Sequence, residues 1–198
     1  VMPLVTPQGA MMGAAFVLNE GAGGRLDSQG QRVSLGIQAG EKVYQDYTLE
    51  VTNPGGHSSA PVRDNAIYHL SQGLARLGEY DFPVKLNDAV RGNFIQMAKI
   101  EGGPMGEAMA AVAKDPSNAA AVAAVARDPG RNSMMRTTCV ATMVNAGHAP
   151  NALPQRARAN VNCRILPGEG VEATREALVK VLVDQAIKVT TVGEPSPV

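Results

Sequence analysis

Residues 156–165 alternate without a break. Ala157, Ala159, Val161, Cys163 and Ile165 fall on one face of an extended chain, and Arg156, Arg158, Asn160, Asn162 and Arg164 fall on the other. So strict a period of two points to a strand with one buried side and one polar side. Such a strand needs neighbours for its hydrogen bonds and a layer to cover its apolar face. Tyr47, Leu49 and Val51 alternate with Asp46, Thr48 and Glu50 to give a second strand. Segments near Met135–Val144 and Ile187–Val192 give two more.

The covering layer is also legible. After the break at Asn53-Pro54-Gly55-Gly56, Val62, Ala66, Ile67, Leu70, Leu74 and Leu77 form one helical stripe. Pro61 fits the first turn, and Ser58 or Ser59 is the expected N-cap. Pro167-Gly168-Glu169-Gly170 turns into a second helix with Val171, Thr174, Leu178, Val181 and Leu182 on its stripe. Between these lies an expected helical insertion, residues 86–127, made of two stretches. Asn87 or Asp88 caps the first, Gly102-Gly103-Pro104 breaks it, and an Ala-rich stretch runs to Arg127, with Asp128-Pro129-Gly130 closing the segment.

The order from residue 41 is therefore β-α-(helices)-β-β-α-β. That order implies an α+β fold: a split βαβ (ferredoxin-like) four-stranded antiparallel sheet with two helices on one face. Residues 41–192 make this unit. Residues 1–40 hold a buried-strand run, Ala14–Leu18, a Gly-rich turn and a second alternation at Val33, Leu35 and Ile37. Too few strands are present there for an independent fold, so they read as a corner of a larger α/β domain. Gly193–Pro197 reads as a linker, giving 193–198 as the exit.

Lys and Arg number 18 and Asp and Glu 18, so no electrostatic footprint of a nucleic acid is expected. No apolar run approaches the ~20 residues that cross a bilayer, so no membrane partner is expected either. Val1–Thr6 carries no targeting signal, which leaves cytoplasm and periplasm both open. Cys139 and Cys163 fall on apolar faces of expected strands, and free buried thiols are favoured over a cross-strand bridge.

Four positions could carry chemistry. His57, at a strand end within Gly55-Gly56-His57-Ser58-Ser59, could donate to an oxyanion or a carboxylate, or be a plain loop histidine. Asn151, in the stiff turn Gly147-His148-Ala149-Pro150-Asn151-Ala152-Leu153-Pro154, could orient a substrate or satisfy its own turn. Arg164, near its strand's end, could clamp a carboxylate or be a surface arginine beside Arg156 and Arg158. Glu20, after the first apolar run, is placed as one carboxylate ligand to zinc would be, but one carboxylate makes no site. His69 reads as a helix-face residue without a catalytic partner, and His148 as a solvated loop residue. Ser58 lacks the second glycine of a nucleophile elbow and an obvious Asp–His pair.

Gly55-Gly56-His57-Ser58-Ser59-Ala60-Pro61, Asn151-Ala152-Leu153-Pro154 and Arg164-Ile165-Leu166-Pro167-Gly168-Glu169, in this order, resemble the M20 family of metallopeptidases. The inserted helices and Phe16–Gly21 resemble its carboxypeptidase S-like branch. The resemblance implies that residues 1–40 are a fragment of a two-zinc α/β catalytic domain and that residues 41–192 are its homodimerising lid. It further implies that His57 reaches the partner subunit's active site to stabilise the oxyanion. Asn151 and Arg164 would hold a peptide or N-acyl amino acid, and Glu20 would bind one zinc. The family's H-x-D strand, bridging Asp, Glu-Glu pair and C-terminal His have no counterpart in these residues. The chain alone is thus expected to bind no zinc and to hydrolyse nothing. A non-catalytic dimerising or small-molecule-binding regulatory module is the alternative.

Overall fold

A computed structural model describes residues 23–195. The apolar run at Ala14–Leu18 and Glu20 lie outside the described residues. The chain divides into two units, residues 1–39 and 40–198.

In the first unit, β1 (Gly24–Leu26) and β2 (Arg32–Leu35) form an antiparallel hairpin. Asp27 makes its turn: Oδ1 accepts from the Gln29 and Gln31 amides at 2.9 and 2.8 Å, and Gly30 takes the left-handed φ of 78° that this loop needs. The second strand ends at Leu35, short of the alternation that extends to Ile37.

The second unit is built on β3 (Val43–Thr52) and β7 (Arg156–Ile165), paired over their full length from Val43↔Ile165 to Thr52↔Arg156. β8 (Lys188–Val192) joins β3, and β5 (Thr138–Ala146) joins β7, giving the all-antiparallel order β5-β7-β3-β8. Helix α1 (Ala66–Gly78) precedes an inserted group of four helices, and α6 (Val171–Leu182) follows β7. Leu70 and Leu77 of α1 and Leu178 and Leu182 of α6 close over Tyr47, Leu49, Val51, Ala159 and Val161 in one core. The odd-numbered residues of both central strands face it, as the alternation requires. Tyr47 lies wholly inside, and its phenol donates to the Val171 carbonyl at 2.7 Å, so its burial leaves no polar group orphaned.

Helix α1 starts later than its apolar stripe suggests. Asn65, in an extended conformation, is the N-cap and accepts from the Ile67 amide at 2.9 Å. Ser58 and Ser59 are engaged elsewhere, and Val62 stays exposed in the loop. Periodicity could not separate a helical turn from a loop that happens to carry a valine in phase.

The insertion is longer and more segmented than two helices. It comprises α2 (Asp88–Glu101), α3 (Gly103–Lys114), α4 (Ala119–Val125) and α5 (Pro129–Met135). Asn87 caps α2 as expected, and Gly102 ends it at φ 61°. Asp128-Pro129-Gly130 begins a helix rather than closing the segment: Asp128 Oδ1 accepts from the Arg131 amide at 2.9 Å, and Pro129 occupies the first turn. The following strand accordingly starts at Thr138, not Met135. Phe94, Met109, Val112, Val125 and Met135 form a separate core for this insertion. Helices α2 and α3 approach so closely that a Cβ on Gly106 would sit 2.6 Å from the Ala98 carbonyl oxygen.

Because the two cores are separate, Phe94→Ala should cost the insertion about 3–5 kcal/mol while leaving the sheet intact. Native-state amide exchange will read this. Protection lost equally across β3 and β7 would mean that the cores are one cooperative unit.

Cys139 and Cys163 are joined in a disulfide, which corrects the expectation of free thiols. They face each other directly on β5 and β7, with Cα atoms 4.1 Å apart, the close spacing of a non-hydrogen-bonded antiparallel pair. The alternation gives each cysteine's face, but the register that aligns them is a tertiary property. Among the described residues no helix is long and apolar enough to cross a membrane.

Candidate functional site

At one end of the sheet two loops form a second small ribbon. β4 (Gly56–His57) pairs with β6 (Ala152–Leu153), His57 opposite Ala152, and the Ser58 amide donates to the Asn151 carbonyl at 3.0 Å. The His57 and Asn151 motifs, 94 residues apart in sequence, are thus one element. Gly55 makes this possible: its φ is 79°, and a Cβ there would fall 2.5 Å from the Gln155 side chain. Asn53 continues the pairing below, its amide donating to the Gln155 carbonyl at 2.9 Å.

Ser59 fixes the orientation of His57, with its hydroxyl oxygen 2.8 Å from Nδ1. The Ser59 amide donates to Nδ1 at 3.2 Å. A backbone N–H can only donate, so Nδ1 is an acceptor and a neutral ring carries its proton on Nε2. That N–H lies on an exposed residue and is available to an acceptor outside the chain. Asn151 is exposed too; its backbone is fixed by the ribbon, while its side-chain amide has no partner among the described residues.

Arg164 stands at the opposite end. Its guanidinium carbon lies 4.7 Å from the centre of the Tyr44 ring, directly across the β3–β7 pair. Tyr44 is steadied by donating its hydroxyl to Asp46 Oδ2 at 2.6 Å. Burial pushes the Asp46 carboxyl up, but hydrogen bonds from Tyr44, Asn162 and Asn160, with the Arg164 charge, outweigh it and hold that carboxyl below its ordinary range. The arginines sharing this face are engaged differently. Arg156 is bound to Glu50, and Arg158 donates to Thr48 at 3.0 Å. Arg164 has no hydrogen-bond acceptor among the described residues, so its fork is free for a carboxylate.

Near Arg164, Lys42 escaped the sequence reading, and Glu169 entered it only as the last residue of the Arg164 motif. Lys42 donates to the Arg136 carbonyl at 2.6 Å and to Thr138 at 3.3 Å. Burial drives its amine down to about 8, with Glu169 opposing and Arg164 assisting. Glu169, in the turn just after β7, pairs with Lys85 at 2.6 Å and accepts from Thr137. The Thr137 hydroxyl also accepts from the Leu166 amide, pinning the turn beside Arg164. A lysine before a strand carries no local signal, and the motif that contains Glu169 does not say what that carboxylate meets. Only the fold gathers them.

One chain therefore brings His57 and Asn151 together but not Arg164. Eight residues of β7 separate Arg156, at the ribbon end, from Arg164, which is roughly 26 Å at the usual rise per residue. Between the two ends runs the outer edge of β5. Among the described residues no strand pairs with it on that side, and Val140 and Met143 are 59% and 71% exposed. A long apolar edge of this kind is a template for pairing with another strand.

No group of three or more His, Cys, Asp or Glu side chains able to hold a metal ion occurs among the described residues. Residues 23–195 thus do not by themselves supply the three or four donors that a zinc site needs.

Residues 39–190 match the M20 peptidase dimerisation domain. The chain is 28% identical over 93% of its length to an N-fatty-acyl-amino acid synthase/hydrolase of Mus musculus, spanning 37% of that protein. It is 30% identical over 83% of its length to a probable carboxypeptidase S-like protein of Dictyostelium discoideum, spanning 31% of it. The chain thus covers about a third of these relatives. Among solved structures, an M20 family metallo-carboxypeptidase from Sulfolobus solfataricus matches with a TM-score of 0.49 and 21% identity, over 85% of this chain and 46% of that one.

Proposed function

This chain belongs to the M20 peptidase family through its dimerisation domain, and on that premise we propose that it is the substrate-capping, homodimerising lid of a zinc amidohydrolase. The substrate class is a peptide or N-acyl amino acid, and the scissile bond an amide. The zinc ions would be held by residues other than 23–195, with Glu20 as one ligand. The relatives' names support this class, since one acts on N-fatty-acyl-amino acids and another is carboxypeptidase-like.

The observation that carries the reading is the opposed placement of the two half-sites along an open strand edge. β5 runs from Thr138, beside Arg164, to Ala146, beside the ribbon. In a two-fold dimer joined edge to edge along β5, the strands pair antiparallel, so Ala146 of one protomer lies near the partner's Thr138. The ribbon of one then approaches the Arg164 end of the other. Three strand spacings (β7 to β5, β5 to the partner's β5, and on to its β7), about 14 Å, replace the roughly 26 Å that separate the ends within one chain. A composite site follows: His57 and Asn151 come from one protomer and Arg164 from the other.

Each residue has one task in that site. As the amide carbonyl becomes tetrahedral, its oxygen gains negative charge, and His57 Nε2–H donates to it. Arg164 grips a substrate carboxylate with its free fork, and the Asn151 amide holds the adjoining polar groups. A clamp formed equally in the ground and transition states acts on KM. Arg164→Ala in the full-length enzyme should therefore raise KM about 10- to 100-fold for substrates with a free carboxylate, the scale of a charged hydrogen bond. Steady-state kinetics on matched acids and their amides will decide this. Equal losses on both series would remove the clamp from the proposal.

A further inference from the structure

His69, on the first turn of α1, sits between two carboxylates. Its Nδ1 is 2.6 Å from Asp184 Oδ2, and its Nε2 is 3.1 Å from Asp64 Oδ1. Each carboxylate oxygen is an acceptor. A neutral imidazole has one N–H and would turn the lone pair of its other nitrogen on a carboxylate, whereas the imidazolium has two donors and satisfies both. The arrangement is that of a protonated ring.

The two carboxylates belong to different parts of the fold. Asp184 lies between α6 and β8 and is fixed by accepting from the Ala186 amide at 2.9 Å. Asp64 closes the loop that carries His57. The same Oδ1 that faces His69 accepts from Asn53 Nδ2 at 2.8 Å, joining the two ends of the segment 53–64. His69 therefore ties the neck of that loop to the helical layer of the lid.

We propose that His69 is a positioning residue, whose doubly bonded imidazolium anchors the neck of loop 53–64 and so fixes the ribbon that presents His57. The inference deepens the reading of His57 as an oxyanion donor and rests on it for its functional meaning, while the anchoring itself is a structural claim that can fail separately.

The groups facing His69 set its pH range. Asp184 is the strongest influence, by its hydrogen bond; burial opposes it, the Asp184 and Asp64 charges add, and the balance raises the imidazole above its ordinary value of 6.5. His69, followed by burial in opposition, then the Ala186 amide and the Arg76 charge, keeps the Asp184 carboxyl low. Because the folded-state value is raised, the anchor is at full strength below about 6.5 and is lost as pH rises through the folded value. Loss of the proton should break the longer bond, to Asp64, and keep the 2.6 Å bond to Asp184.

The test uses this 198-residue chain. Amide exchange of Gly56, His57 and Ser58 is compared between wild type and His69→Gln at each pH, and the ratio cancels the base catalysis of exchange. Side-chain NMR titrates His69 in the same sample. We expect exchange in the variant to be about tenfold faster near pH 6, the scale of a charge-assisted hydrogen bond. The ratio should fall toward one as His69 deprotonates, with β3 and β7 amides unchanged. Asp64→Asn, which keeps an oxygen for Asn53, should loosen the same amides and lower the His69 pKa. A ratio near one at every pH, or one whose midpoint departs from the His69 titration, would overturn the proposal. Either result leaves the catalytic reading of His57 to kinetics on the full-length enzyme.

Discussion

Mixing His57→Ala and Arg164→Ala forms of the full-length enzyme, with subunit exchange, will restore activity that neither has alone. Each homodimer lacks one half of both of its sites. Assayed well below KM, each should retain about a tenth or less of wild-type kcat/KM, from loss of an oxyanion donor in one and of a charged clamp in the other. A mixed dimer keeps one complete site, with His57 from one protomer and Arg164 from the other. Random exchange makes half of the dimers mixed, each with one working site of two, so recovery should reach roughly one quarter of wild type. If His57 and Arg164 served the same protomer's site, each protomer of the mixed dimer would still lack one of them, and no activity would return. The experiment thus separates a composite site from two autonomous ones. Zinc content should be unchanged in both variants, since neither residue is placed at the metal.

If the chain dimerises along β5 as proposed, placing charge on that edge will abolish self-association. Val140 and Met143 lie near the middle of the strand, where a two-fold axis through an antiparallel β5 pair would pass. In that register position 140 falls opposite the partner's Val144 and position 143 opposite the partner's Ala141, so the double variant crowds four lysines around the axis, and edge lysines are a common block to strand pairing. Juxtaposed like charges cost several kcal/mol, so the dissociation constant of Val140→Lys/Met143→Lys should rise by about three orders of magnitude or more. Sedimentation at micromolar concentration will show monomer, with circular dichroism confirming that the sheet is retained. A dimer of wild-type affinity would locate self-association on another surface.

Much of this was legible in the sequence, for identifiable reasons. β3, β7 and α6 announced themselves because half-buried elements write their period into the chain. Tyr47, Leu49, Ala159, Val161, Leu178 and Leu182 are in the core where the alternation and the helical stripe put them. Asn87 was readable as a cap because its side chain acts within its own turn. The start of α1 was misplaced because both serines are engaged elsewhere: the Ser58 amide donates to the Asn151 carbonyl, 93 residues away, and Ser59 bonds His57 Nδ1. The closing of the insertion was misjudged because Asp-Pro-Gly serves equally as a turn and as a capped helix start, and packing of Met135 decided between them. Sequence reading found His69 without a partner; its two carboxylates come from a loop and from a connector 115 residues further on.

The residue chemistry at His57, Asn151 and Arg164, and the four strands and two covering helices of the sheet, were determined by the sequence, because propensity, periodicity and turn chemistry are local. Tertiary structure alone decided which of these residues meet. It placed His57 and Asn151 on one ribbon, set Arg164 at the far end of a ten-residue strand, and aligned Cys139 with Cys163. Pairing register and strand order produce those juxtapositions, and both depend on segments far apart in the chain, whose energies no local pattern records.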